Sequence, residues 1–208
     1  MPIFQAHNKD IVTQMTALTQ ILTRSKVIHE VLVLTSKLNL ENYYIGAGCI
    51  AQTVWNYLSD LPLDYGIKDV DFVYYDNKNL SEEAEKRVSQ YVFDELKHLP
   101  LMLDVKNQAR VHLWYQIRFG YPIPPYKSLE DAINTWPTTA TSIGVRLQEK
   151  DWIVYAPFGL NDLFGLIVRA NKAQITKEIY EQKVSKWVSA WPDLTIIPWE
   201  SQGEPRGG

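Results

Sequence analysis

The segment KDVDFVYYD, residues 68–76, combines a strand pattern with two closely spaced acidic residues. Its apolar and acidic residues alternate as they do in a β-strand, so Asp69 and Asp71 share one face and the intervening apolar residues share the other. Two neighbouring carboxylates repel each other unless solvent or a cation neutralises them. The segment therefore predicts either a strand that carries a Mg²⁺ or Mn²⁺ site or an edge strand with solvated acidic residues.

A glycine turn precedes this strand. The stretch YIGAG, residues 44–48, indicates a short strand followed by a turn, and Ile50, Val54 and Leu58 then recur at helical spacing. Glycines allow a phosphate to approach the backbone, and the start of a helix offers unpaired N–H groups. A plain tight turn explains the same pattern, and the single G-x-G does not match the dinucleotide-binding fingerprint.

A third carboxylate follows on another predicted strand. Residues 101–106 alternate again, with Asp104 on the same side as Met102 and Lys106. Adjacent strands lie about 4.8 Å apart, so Asp104 can lie close to the acidic pair. Asp76 lies roughly 23 Å beyond Asp69 on its own strand and cannot.

The rest of the chain alternates between helical and strand patterns. We predict a mixed β-sheet flanked by helices, of the α/β (α+β) class. The further predicted elements are helices over 11–23, 25–38, 81–96, 128–136, 161–169 and 177–190, and a hairpin over 143–148 and 152–155. Residues 1–200 are expected to form a single domain with N-terminal helices and a C-terminal helical part, and residues 201–208 a flexible tail.

Composition places the chain among ordinary globular proteins. Its 208 residues are 46% hydrophobic and 22% charged. A formal net charge of −3 argues against a broad nucleic-acid surface. With Cys49 as the one cysteine, no internal disulfide forms. The sequence lacks a long apolar run, so we expect no membrane segment and a cytoplasmic location.

The order of these segments resembles the nucleotidyltransferase superfamily. More closely, the chain resembles a bacterial nucleotidyltransferase-like family of unknown physiological substrate over roughly residues 25 to 195. The segments that carry this resemblance are YIGAG at 44–48, KDVDFVYYD at 68–76, LDVKNQARVHLWY at 103–115, TTATSIGVR at 138–146 and YAPFGLNDLF at 155–164.

The resemblance implies an enzyme that transfers a nucleoside monophosphate from a nucleoside triphosphate, such as ATP, to an acceptor that the sequence does not identify. The predicted catalytic and metal-binding residues are Asp69, Asp71 and Asp104, with Mg²⁺ or Mn²⁺ as the cofactor. The predicted nucleotide-binding residues are Gly46, Ala47, Gly48, Lys106, Arg110 and His112. Asp104 would be a bridging ligand or the base for the acceptor hydroxyl.

Two other functions are compatible with the same residues. One is a non-catalytic nucleotide-binding regulatory module, against which the presence of all three aspartates argues. The other is a metal-dependent phosphoesterase, although the four histidines are widely dispersed and show no hydrolase spacing.

Overall fold

The computed structural model describes residues 4–201 as helices packed around a mixed sheet. Its helices are α1 (Ile11–Arg24), α2 (Lys26–Thr35), α3 (Gly48–Leu58), α4 (Glu82–Leu96), α5 (Val111–Phe119), α6 (Leu129–Ile133), α7 (Asn161–Phe164) and α8 (Lys177–Ala190). Short 3-10 helices cover Gln108–Arg110 and Trp199–Ser201. The strands are β1 (Tyr43–Gly46), β2 (Asp69–Tyr74), β3 (Met102–Asn107), β4 (Gly144–Gln148), β5 (Asp151–Tyr155), β6 (Ile167–Val168) and β7 (Thr195–Ile196).

Five strands form the main sheet, in the order β3-β2-β1-β4-β5. Only the β2 and β3 pair is parallel, and α4 connects these two strands. The other neighbours in this sheet are antiparallel. The predicted mixed sheet flanked by helices is therefore confirmed.

One face of the sheet carries the main hydrophobic core. Val70 and Phe72 of β2 are fully buried there against apolar residues of the N-terminal helices and α3. Both N-terminal helices begin at side-chain caps, Asp10 for α1 and Ser25 for α2, whose oxygens accept from backbone N–H groups in the first turn. This layer holds β2 so that its acidic residues point to the opposite face.

Helix α8 is tied to α3 from a distant part of the sequence. The Trp187 and Trp191 rings pack edge-on against Trp55, with centroids 5.5 and 5.7 Å away. The Trp191 indole N–H also donates to Asn56 Oδ1 at 2.7 Å. These contacts fix the position of α8 relative to α3.

The structure differs from the predicted elements in several places. The helices predicted over 25–38 and 128–136 are shorter, since α2 ends at Thr35 and α6 at Ile133. The helix predicted over 161–169 ends at Phe164, because the chain turns at Gly165 and at Leu166, whose φ is +53°, and continues as β6. Helix α5, which begins immediately after the β3 strand and its 3-10 turn, was not predicted. Ser201 is the last residue of a 3-10 helix, and the rest of the predicted tail, residues 202–208, lies outside the described residues.

Candidate active site

A row of small and acidic residues crosses the open face of the sheet. Gly144 of β4 pairs with Gly46 of β1, Gly46 pairs with Asp71 of β2, and Asp71 pairs with Asp104 of β3. Asp69 lies on the same face of β2, at its exposed beginning. Asp104 therefore lies on the strand beside the acidic pair, as predicted, and the three carboxylates share one face of the sheet with Gly46 and Gly144.

Asp71 is the central and most buried of the three carboxylates. Burial, followed by the negative charges of Asp69 and Asp104, raises the pKa of Asp71 to about 7. Lys183 and Lys106 act in the opposite direction. An ionised Asp71 is therefore costly in this environment, and a cation bound beside it would remove that cost.

Asp104 is paired with a lysine of its own strand. Lys106 Nζ lies 2.9 Å from Asp104 Oδ1, and both side chains remain partly exposed on the open face. Among residues 4–201, no group of three His, Cys, Asp or Glu side chains is close enough to hold a metal ion. The structure therefore does not assemble Asp69, Asp71 and Asp104 into the predicted three-carboxylate ligand set. Asp104 is engaged with Lys106, and Asp69 and Asp71 are the carboxylates of this face that could hold a cation.

The glycine turn lies next to Asp71, and its three residues differ in structural role. A Cβ at Gly46 would lie 2.7 Å from the Ile143 carbonyl and 2.8 Å from the Trp136 ring, so packing occupies the space above this residue. Ala47 has φ +55° and ψ −126°, a conformation rare for non-glycine residues, and its N–H donates to the Ile143 carbonyl. A Cβ at Gly48 would have the flexible Gln52 side chain as its nearest neighbour, at 3.3 Å.

These observations change the interpretation of Gly46. Its lack of a side chain lets Trp136 and β4 pack against the sheet, rather than leaving room for a phosphate. Gly48 begins α3, and no side chain of the described residues caps that helix end. The unpaired N–H groups of α3 thus begin at Gly48, beside the acidic row.

The two glycines should respond differently to alanine. We expect Gly46→Ala to lower the free energy of unfolding by about 1–3 kcal/mol, because the new methyl group overlaps a backbone carbonyl and a tryptophan ring. Gly48→Ala should leave it unchanged or slightly raised, because alanine is the better helix former. Thermal and urea unfolding of the two variants measures this difference, and equal stabilities would contradict it.

Two predicted nucleotide-binding residues lie elsewhere. Arg110 is buried, its guanidinium pairs with Glu85, and its Nε donates to the Leu80 carbonyl at 2.9 Å. His112 lies on α5, where its Nδ1 is buried without a hydrogen-bond partner among the described residues. Neither residue lines the cavity beside Asp104. Both residues follow β3 closely in the sequence, but the chain leaves the strand at Gln108 and continues as a 3-10 turn and α5, so neither lies on the strand beside Asp104.

A cavity of about 240 Å³ opens beside Asp104 and Lys106. Its walls come from α5, from the segment around Trp136, and from α8 with the residues that precede it. The residues that line it are Asp104, Lys106, Gln108, Val111, Trp114, Tyr115, Arg118, Phe119, Tyr126, Thr135, Trp136, Pro137, Gln174, Ile175, Ile179 and Lys183.

Two cations in this wall were not found from the sequence. Lys183 of α8 lies close enough to Asp71 for its charge to lower the pKa of that carboxyl. The Arg118 guanidinium of α5 lies over the Phe119 and Trp114 rings, 5.5 and 5.9 Å from their centroids. For Arg118 the sequence did contain a signal, because Val111, Trp114, Tyr115 and Arg118 follow the spacing of one helix face.

A model of the nucleotidyltransferase family matches residues 34–196, which include the acidic row, the glycine turn and the cavity. The chain belongs to the nucleotidyltransferase family. Membership supports nucleotidyl transfer as the general reaction and a nucleotide as substrate.

The fold of this chain is similar to a solved structure described as "The NMR structure of the protein reveals a CCA-adding enzyme head domain". The two chains are 24% identical, with a TM-score of 0.72, and the match covers 88% of this chain and 95% of the other. At this identity the likeness concerns the fold. No curated protein sequence matches this chain significantly. Within residues 4–201, no helix has the length and apolar character needed to cross a membrane.

Proposed function

We propose that the protein is a metal-dependent enzyme that transfers a nucleoside monophosphate from a nucleoside triphosphate to an acceptor hydroxyl. The observation that carries this proposal is the row in which Gly46, Asp71 and Asp104 are direct neighbours, with Asp69 on the same face. Around this row, the site combines carboxylates, the uncapped start of α3 and a cavity with lysine and arginine side chains in its walls.

Asp69 and Asp71 are the residues that would hold the metal ion. Mg²⁺ and Mn²⁺ prefer oxygen ligands, and Mg²⁺ usually takes one or two carboxylates together with water and substrate phosphates. The raised pKa of Asp71 fits this assignment, because the carboxyl lacks a nearby compensating charge strong enough to offset its burial. When bound, the ion neutralises the triphosphate and the oxygens that gain charge during transfer.

The triphosphate would be held by charge and by backbone N–H groups. The start of α3 at Gly48 offers unpaired donors and the positive end of the helix dipole. Lys106 and Lys183 flank the carboxylates on the cavity side. Cations on one side and a metal site on the other would orient the α-phosphate for attack.

Asp104 would accept the proton of the attacking hydroxyl. The acceptor oxygen forms a bond to the α-phosphorus, the bond to the β-phosphate oxygen breaks, and pyrophosphate leaves. Asp104 is the carboxylate nearest the cavity, and its partner Lys106 can turn to the phosphates when they bind. A base assignment fits this pairing better than a third metal-ligand position does.

The test is incubation with each α-labelled nucleoside triphosphate, Mg²⁺ or Mn²⁺, and acceptors from RNA, protein and small-molecule fractions. We expect label to move to one acceptor class with release of pyrophosphate. Release of inorganic phosphate without label transfer would instead support a phosphoesterase. Metal-dependent nucleotide binding with no turnover on any fraction would support a non-catalytic module.

Lys183 provides a sharper test of the phosphate-binding arrangement. We expect Lys183→Met to weaken the affinity for Mg²⁺–nucleoside triphosphate by about tenfold or more, because a charge-assisted contact to a phosphate is lost. Lys177→Met is the matched control, since Lys177 lies on the same helix and pairs with Glu200 and Glu181 instead. Calorimetric titration of both variants measures the effect, and equal affinities would remove Lys183 from the site.

A further inference from the structure

The polar groups of the cavity fall into two sets. Lys106, Arg118 and Lys183 belong to the charged set, which adjoins the carboxylates. The second set is neutral and joined by hydrogen bonds: the Tyr126 hydroxyl contacts Thr135 Oγ1 at 2.9 Å and donates to Gln174 Oε1 at 2.8 Å. The charged set suits phosphates, so the neutral set faces another part of a ligand.

The neutral set is surrounded by aromatic rings. Tyr115 and Tyr126 are buried, and Trp114, Phe119 and Trp136 also line the cavity. A space of about 240 Å³ is smaller than the 300–1,000 Å³ of typical sites for a whole drug-sized ligand, so it fits one ring system better than an entire nucleotide. Flat aromatic walls favour a flat ligand that can stack on them.

Gln174 is held in place at two points. Its backbone carbonyl accepts from the Tyr121 hydroxyl at 2.6 Å, and its side-chain Oε1 accepts from Tyr126. Its Nε2 has no hydrogen-bond partner among the described residues and is the amide atom that remains for a ligand. A donor held in this position can form a hydrogen bond to an acceptor atom on the edge of a ring.

Gln108 supplies a second amide. It lies directly after β3 in the 3-10 turn, is buried, and lines the cavity. Neither atom of its amide has a hydrogen-bond partner within residues 4–201, and neither belongs to the fully buried atoms without a partner, so the amide is accessible from the cavity. An accessible amide in a cavity wall can offer a ligand both a donor and an acceptor.

We infer that this cavity binds the base of the nucleoside triphosphate and that Gln174 and Gln108 determine which base is preferred. This inference rests on the proposed function and deepens it, because it assigns the neutral part of the same site to the nucleobase. The base stacks on the aromatic walls, its polar edge meets the two amides, and its phosphates extend to Lys106, Lys183 and the carboxylates.

The experiment measures binding of the four ribonucleoside triphosphates and of inorganic tripolyphosphate, each with Mg²⁺, by calorimetric titration. The wild-type protein should bind at least one nucleotide about tenfold more tightly than tripolyphosphate and than the least favoured nucleotide, as expected for one discriminating hydrogen bond. Gln174→Met and Gln108→Met keep side-chain size but remove the amide. Each should reduce this preference to less than threefold while the tripolyphosphate affinity stays unchanged.

The controls separate this inference from the proposed function. Gln116→Met alters an exposed amide on α5 outside the cavity and should keep the full base preference. If all four nucleotides and tripolyphosphate bind equally to the wild type, or if both cavity variants keep the preference, the base assignment is overturned while the phosphate site stands. If neither tripolyphosphate nor any nucleotide binds, the proposed function fails and the base assignment fails with it.

Discussion

Replacing Asp71 by asparagine is expected to abolish metal-supported binding of the nucleoside triphosphate and with it nucleotidyl transfer. Asp71 is the central carboxylate of the row, between Gly46 and Asp104, and shares its face with Asp69. An asparagine keeps the shape but offers a neutral oxygen in place of a charged ligand. Loss of a metal-binding charge should reduce turnover by more than about a thousandfold.

The same substitution should stabilise the metal-free protein. The folded-state pKa of Asp71 is raised from 3.8 to about 7. Folding therefore favours its protonated form, and the stability penalty grows as pH rises from about 4 to 7 and is complete above that range. Part of the side chain stays in solvent, so we expect Asp71→Asn to raise the free energy of unfolding by about 1–2 kcal/mol at pH 8 and by less at pH 5.

Loss of activity combined with a gain in stability is the outcome that identifies a binding carboxylate. Asp69→Asn should also lose metal-supported binding, whereas Asp94→Asn, an exposed carboxylate of α4 paired with Lys97, should change neither property. Urea unfolding in the presence of a chelator and calorimetric titration with Mg²⁺ and nucleotide measure the two effects. Unchanged nucleotide affinity in both site variants would contradict the metal assignment.

The sequence predicted the parts of the site that depend on local periodicity. Alternation along residues 68–76 places Asp69 and Asp71 on one face, and alternation along 101–106 places Asp104 beside them. The alternation of side chains between the two faces of a strand depends only on local backbone geometry. It can therefore be recognised in the sequence before the fold is known. The strand spacing then confined the third carboxylate to β3 and excluded Asp76.

The parts that were missed depend on contacts between distant segments. Lys183 reaches the carboxylates only because Trp187 and Trp191 dock α8 against Trp55. Nothing in residues 177–190 alone shows which face of that helix packs against α3. The cavity also depends on packing between distant segments, since its walls come from three parts of the chain that pack together around β3.

Arg110 was misplaced for a local reason. A basic residue that follows an acidic strand is compatible with phosphate binding, but the chain enters a 3-10 turn and then α5 at this point. The turn directs Arg110 toward Glu85, whose other oxygen accepts from the Asn107 backbone N–H at 2.8 Å. This buried pair fixes the end of β3, so Arg110 supports the position of Asp104 indirectly.

The clearest separation of binding from chemistry is expected at Asp104. Asp104→Asn should leave the affinity for Mg²⁺–nucleotide within about threefold of the wild-type value, because Asp69 and Asp71 remain and Lys106 is freed from its partner at 2.9 Å. Turnover should fall by at least about a hundredfold, since asparagine cannot accept the proton of the attacking hydroxyl.

The matched control is Asp76→Asn, which alters an aspartate about 17 Å beyond Asp71 along the same strand direction. Asp76 accepts from the Lys78 N–H and lies beside Asn107, so its loss affects a turn and should change neither affinity nor turnover. Single-turnover transfer and equilibrium binding, measured on both variants, decide the assignment. An inactive Asp76→Asn protein together with an active Asp104→Asn protein would show that Asp104 is not the base, and a large loss of nucleotide affinity in Asp104→Asn would assign it to the metal instead.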